Sequence, residues 1–233
     1  MKRLIVVNVL LLLACRPAMK QVNQENVHFA GTDGRPYRAI LYTHKNRPVE
    51  GGVLVCPARP AEADRWSATA MRMTWQHYAV VHHIQTAAGD SIVDTAAGAA
   101  ALQAANIFMQ NRFPRIKMGV VGSAASAWMG VIAGVRDSTL AAAVLVSPVW
   151  PALAGEQDIA AWSGRPLVLI APERDPQNAA SAIASFYQSM PEPKKLVWLA
   201  SDQTGSVLLE THLEPIIRRV SVLLFDRWLR GKM

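Results

Sequence analysis

The chain has little cysteine, little charge and no long apolar run. Its two cysteines, Cys15 and Cys56, among 233 residues cannot build a disulfide scaffold or a four-cysteine zinc site. No cluster of His, Asp and Glu shows metal-ligand spacing, so neither a metal nor a cofactor is expected. Basic residues outnumber acidic ones, 24 to 17, for a formal charge of +7, but no five stand together. Scattered positive charge of this kind describes a soluble surface and argues against a nucleic-acid partner. No stretch reaches the ~20 apolar residues of a transmembrane helix. At 51% hydrophobic and 18% charged residues, the chain is of the globular kind. Its length suits one domain, able to bury roughly 68–75% of its surface without covalent staples.

The N-terminus carries its own pattern. Met1-Lys2-Arg3 is a short positive region, and Leu4–Ala14 is an apolar run of 11 residues. Such a run is too short to span a bilayer and suits a signal-peptide core. It ends in Leu12-Leu13-Ala14-Cys15, which resembles the bacterial lipobox: aliphatic, variable, small, then the cysteine that takes the lipid. The resemblance implies a signal peptide over 1–14, lipidation at Cys15 and a polar tether over 15–25, with the folded domain over 26–233. The membrane is then a partner through Cys15, and three acyl chains there give a stable anchor. Arg16 follows the cysteine. In Gram-negative lipoproteins the absence of Asp at that place directs the protein to the outer membrane, on its periplasmic side.

From Val27 onward, strand-like runs alternate with helical patterns. The runs are Val27–Ala30, Tyr37–Tyr42, Gly52–Cys56, Ala79–His83, Met118–Gly122, Ala142–Ser147, Pro166–Ala171 and Leu196–Ala200. Several are continuous in Val, Leu and Ile, as strands buried on both faces require. Helices are expected over Asp64–Gln76, Ile92–Asn111, Ala125–Val135, Asn178–Ser189 and Val207–Arg230. This alternation predicts an α/β fold, a mostly parallel central sheet of about eight strands flanked by helices. Gly31-Thr32-Asp33-Gly34 joins the first two runs as a hairpin, so the sheet starts antiparallel.

Five segments, in this order, carry a family resemblance. They are Tyr78–Val81 leading to Gly89-Asp90-Ser91, Lys117–Gly122, Val146-Ser147-Pro148, Arg165–Ile170 leading to Asp175, and the close at Trp228-Leu229. Over about residues 27–230 the chain resembles an α/β-hydrolase of the dienelactone-hydrolase-like or lipase-like kind. Only the stretch from Pro148 to Pro166 could hold a lid, and it leaves no room for a sizeable one.

The resemblance locates a catalytic site and shows what it lacks. The family's Gly-X-Ser-X-Gly elbow presents its serine on a sharp strand-to-helix turn. The matching pentad here is Gly122-Ser123-Ala124-Ala125-Ser126, so Ala124 stands at the nucleophile position and its methyl group cannot attack a carbonyl. Asp175 falls at the acid position. The loop before the last helix puts Thr204 at the histidine position, and threonine is no base near neutral pH. Ser123, Ser126 and His212 are the substitutes a relocated triad would need. Cys56 is a further thiol with no evident base, read as a buried structural residue. His82 and His83 are adjacent in a strand, whose side chains alternate faces, and so make a poor chelating pair. After the third strand, Cys56-Pro57-Ala58-Arg59-Pro60 keeps only Ala58 and Arg59 as amide donors for an oxyanion.

Three readings follow. The first is a lipid-anchored hydrolase-fold protein without serine-hydrolase catalysis, which binds a small ligand in the vestigial pocket or an envelope protein. The second is an active esterase or dienelactone-like hydrolase with a relocated serine. The third is a structural envelope lipoprotein. Trp128 and Trp150 lie nearest the expected cleft.

Overall fold

The structure is a computed structural model that describes residues 21–31, 34–92, 94–149, 155–176 and 180–232. The signal segment, Cys15 and Trp150 lie outside the described residues. Eight strands form one sheet: β1 (Val22–Ala30), β2 (Pro36–His44), β3 (Gly51–Val55), β4 (Tyr78–Thr86), β5 (Met118–Ser123), β6 (Leu140–Val146), β7 (Leu167–Pro172) and β8 (Lys194–Leu199). Their spatial order is β1-β2-β4-β3-β5-β6-β7-β8. β2 runs antiparallel to both β1 and β4, and every pair from β4 to β8 is parallel. The expected antiparallel start is thus present, closed by Gly31 N–H on the Arg35 carbonyl at 2.8 Å.

The helices are α1 (Pro60–Thr74), α2 (Thr95–Arg112), α3 (Ser126–Arg136), α4 (Glu156–Ala160), α5 (Ala180–Ser189) and α6 (Glu214–Leu229), with a 3₁₀ segment over Gly205–Glu210 before the last. Strand periodicity divides the core in two. Leu54, Val81, Val120, Leu145 and Leu169 face α2, α3 and α5. Val53, Val80, Val121, Val144 and Val168 face α1, α6 and the 3₁₀ segment. Among the described residues, the buried residues of both layers fall between Val27 and Leu229.

Strand and helix ends shift by a few residues from the sequence reading, and three of the differences have a clear physical cause. The tether expected to reach residue 25 gives way at Val22, because Val22–Glu25 pair with His44–Leu41 of β2. That pairing uses backbone groups and needs no apolar side chains. α2 starts at Thr95 rather than Ile92, where Asp94 caps it by accepting from the Ala97 N–H at 2.8 Å. The single helix expected over Val207–Arg230 is two elements. Pro215, in the first turn of α6, suits a helix start but would break a helix interior.

One strand departs from simple alternation. Arg38 pairs with Gln85 and Ile40 with His82, so two residues of β4, His83 and Ile84, oppose Ala39 alone. His83 is the extra residue of this β-bulge, at φ +57°. The bulge turns His82 and His83 toward the same helix, correcting the expectation that they face apart. His82 Nε2 lies 2.6 Å from the Ala63 carbonyl and His83 Nε2 2.9 Å from Asp64 Oδ1, both on α1.

Candidate functional site

The C-terminal ends of the parallel strands bring together the turns that follow β3, β5, β6, β7 and β8. β5 stops at Ser123, Ala124 follows at φ +50°, and α3 begins at Ser126. A positive φ on a residue with a Cβ costs about 1 kcal/mol or more. It is the conformation of a strand-to-helix elbow, and Ala124 is its tip. The Ala124 N–H donates to the Val146 carbonyl at 3.1 Å, which ties the tip to β6. Gly122 must lack a side chain here: a Cβ would come within 2.8 Å of both the Ala127 Cα and the Cys56 Sγ.

The turn after β8 lies against this tip. A Cβ built on Gly205, itself at φ +58°, would stand 3.2 Å from the Ala124 Cβ. Thr204, half-buried and extended at φ −127°, immediately precedes it. Gly205 thus packs against Ala124, one residue beyond Thr204. Arg65 of α1 holds the segment down, donating from Nη1 to Ser206 Oγ at 3.2 Å and pairing through Nε with Glu210 at 3.2 Å.

Asp175 follows β7. Its Oδ2 accepts a hydrogen bond from Ser147 Oγ at 3.4 Å. Ser147, at φ +42°, is the strained residue after β6 and was not among the candidates. The signal for it was Val146-Ser147-Pro148. The Asp175 turn is fixed to the end of β8 by Glu173 N–H on the Leu199 carbonyl and Arg174 N–H on the Ser201 carbonyl, at 2.8 and 3.1 Å.

The substitute residues are placed otherwise. Ser123 is buried and its Oγ accepts from Trp66 Nε1 at 3.2 Å. Ser126 is buried and its Oγ donates to the Ser123 carbonyl at 2.8 Å. His212 is exposed, in the turn between the 3₁₀ segment and α6, rather than on a helix as expected. Cys56 is buried between Gly122 and Gly130, and burial pushes its thiol up to about 12. A thiol so raised is not a nucleophile at neutral pH. Trp128 is fully buried, donating Nε1 to the Val149 carbonyl at 2.9 Å.

Backbone donors remain. Among the described residues, the N–H groups of Ala58 and Arg59, after β3, and Ala125, after Ala124, have no hydrogen-bond partner. Donors after these two adjacent strands are the kind from which an oxyanion hole is made. Among the described residues no group of three or more His, Cys, Asp or Glu could hold a metal ion.

This elbow on this sheet defines an α/β-hydrolase fold, and solved structures share it. The chain superposes on a dienelactone hydrolase of Anabaena variabilis with a TM-score of 0.72 at 18% identity, covering 90% of this chain and 100% of that one. An esterase of Pyrococcus furiosus gives a TM-score of 0.71 at 14% identity, covering 89% and 92%. A cold-adapted esterase from an Arctic intertidal metagenomic library gives 0.69 at 15%, covering 90% and 95%. No protein-family profile and no curated protein matches the sequence. The chain has the α/β-hydrolase fold, with the eight-stranded, mostly parallel sheet expected of it.

Proposed function

We propose that this protein is a lipid-anchored member of the α/β-hydrolase fold that has lost serine-hydrolase catalysis and acts by binding at the cell envelope. One observation carries this reading. The elbow is built in full, with its strained tip, its glycine and its tie to β6, and the residue on it is Ala124 with the Gly205 backbone against its methyl group. A scaffold that keeps the strain of the turn without the nucleophile no longer runs acyl transfer through it. Thr204 supplies no base, and Ser123 and Ser126 are committed to Trp66 and to local backbone. The Asp175–Ser147 contact supports a structural use of the old acid position. The occupant of the site is a small molecule or an envelope protein.

The test is hydrolysis of p-nitrophenyl butyrate and of a dienelactone by the chain from residue 21 onward. No turnover above buffer is expected, and Ala124→Ser alone is expected to add none, because a serine without a base loses most triad catalysis. Turnover that Ser123→Ala or Ser126→Ala abolishes would establish a relocated nucleophile and end this reading. Anchoring is tested separately. Radiolabelled palmitate fed to an expressing bacterium should label the full-length chain and leave Cys15→Ser unlabelled, with that variant lost from the outer-membrane fraction. Equal labelling and equal membrane retention of both chains would reject Cys15 as the anchor.

A further inference from the structure

The antiparallel strands carry a second collection of polar side chains, on the face that α1 only partly covers. His28 of β1 and Gln85 of β4 each pair in register with Arg38 of β2, forming one cross-strand row. Residues directly opposite place their Cβ atoms within about 5.5 Å. Asn26 lies two residues from His28 on the same face, and the bulge adds His83. Together they line a recess of about 270 Å³.

The lining carries Arg38 and two histidines, and Asp64 stands beside it, paired with His83. No carboxylate lines it. Among the described residues neither Arg38 nor His28 has an acidic partner. Arg38 is held by neutral groups instead: its Nη2 donates to Gln85 Oε1 at 3.2 Å, and it packs so closely on Gly89 that a Cβ there would come within 2.4 Å of Nη2. His83 is oriented through Nε2 by Asp64, and its side chain lines the recess. Its backbone is also strained. At φ +57° a glycine would escape the steric penalty, at an entropic cost, and the histidine kept there is a strained outlier whose side chain lines the recess.

We propose that this recess binds a small oxyanion, a phosphate or a carboxylate, between the Arg38 guanidinium and the His28 and His83 imidazoles. Guanidinium and imidazolium N–H groups make charge-assisted bonds to such oxygens. Asn26 and Gln85 contribute neutral amides suited to the remaining lone pairs. The site lies on the face of β1, β2 and β4, and it stands or falls independently of the reading of the Ala124 elbow.

Isothermal titration calorimetry at pH 6.0 tests it, with inorganic phosphate and citrate as separate probes on the chain from residue 21 onward. At least one probe should saturate at a single site. Arg38→Gln should weaken that binding roughly tenfold or more, the value of one charge-assisted contact. His83→Asn is the second variant: it removes the imidazole but tolerates the positive φ, so it should still unfold in a single transition at a melting temperature within a few degrees of the parent while its affinity falls by a similar factor. Saturation by phosphate alone identifies a phosphate-bearing ligand, and saturation by citrate alone a carboxylate. The proposal is overturned if neither probe saturates, or if both variants bind as the parent does.

Discussion

Alanine in place of Trp66 is expected to cost about 3–5 kcal/mol of stability, the range for removing a fully buried aromatic side chain. Trp66 is 1% exposed and stands on the inner face of α1 with Ala63, Ala70 and Met73. These positions recur at helical spacing, so their side chains form one stripe against Val53, Val80 and Val121. The indole is the largest side chain in that stripe, and alanine leaves a cavity the neighbouring strands cannot close. It also orphans Ser123 Oγ, which accepts the indole N–H, adding the cost of a buried polar atom without a partner. Urea denaturation with linear extrapolation measures the loss, and for a domain of this size each kcal/mol lowers Tm by roughly 2–4 °C. Trp66→Phe keeps most of the apolar volume and should lose about half as much or less. A loss below about 1 kcal/mol for the alanine variant would mean that α1 is not docked through this side chain.

Stability is expected to fall as pH drops from 6.5 to 4, and His82 is the main cause. His82 is fully buried, and burial pulls its imidazole down to about 4, with His83 beside it acting in the same direction. Its Nε2 is engaged by the Ala63 carbonyl, while its buried Nδ1 has no partner among the described residues. Protonation therefore places an unpaired N–H and a charge in the core. Between pH 6.5 and 4 the unfolded chain binds this proton and the folded chain does not. The stabilisation is complete above the unfolded value near 6.5 and is lost progressively down to about 4. The full loss is roughly 3 kcal/mol. His44, lowered first by its burial and then by Arg47, adds in the same direction. Glu50 acts lower on the scale: hydrogen bonds from Lys232 and Arg230 hold it at about 2, so its contribution is lost as pH falls from about 4.5 toward 2. Denaturation series at pH 7, 6, 5 and 4 should show the decline, and His82→Gln should flatten most of it. An unchanged slope in that variant would assign the decline elsewhere.

Much of this architecture was legible because it depends on local pattern. Runs such as Gly52–Cys56 and Ala142–Ser147, continuously apolar through Cys56 and Val146, read as strands buried on both faces, and the structure places them at β3 and β6 in the interior of the sheet. The errors arose where backbone pairing or a single residue overrode that pattern. Val22–Glu25 have polar character and still form a strand, because their ladder uses peptide groups. The helix expected from Val207 breaks where Pro215 cannot continue one. At the candidate site, the alanine at position 124 of the Gly122–Ser126 pentad was plain from the order of segments. That Gly205 packs against Ala124 was not, since it depends on how Arg65 and the 3₁₀ segment seat the loop.

The sequence by itself determined the alternation of strands and helices, the antiparallel start and the alanine at the elbow tip, because each follows from side-chain type at a known spacing. Only the tertiary structure decided which distant groups meet. The contact of Trp66 with Ser123 joins residues 57 positions apart. The pairing of His83 with Asp64 exists because one extra residue in β4 turns two neighbouring histidines toward the same helix. The row of His28, Arg38 and Gln85 comes from strand register. Register and bulge position are properties of paired strands, set by the fit of the two buried faces over the whole sheet, and no single segment of the chain carries them.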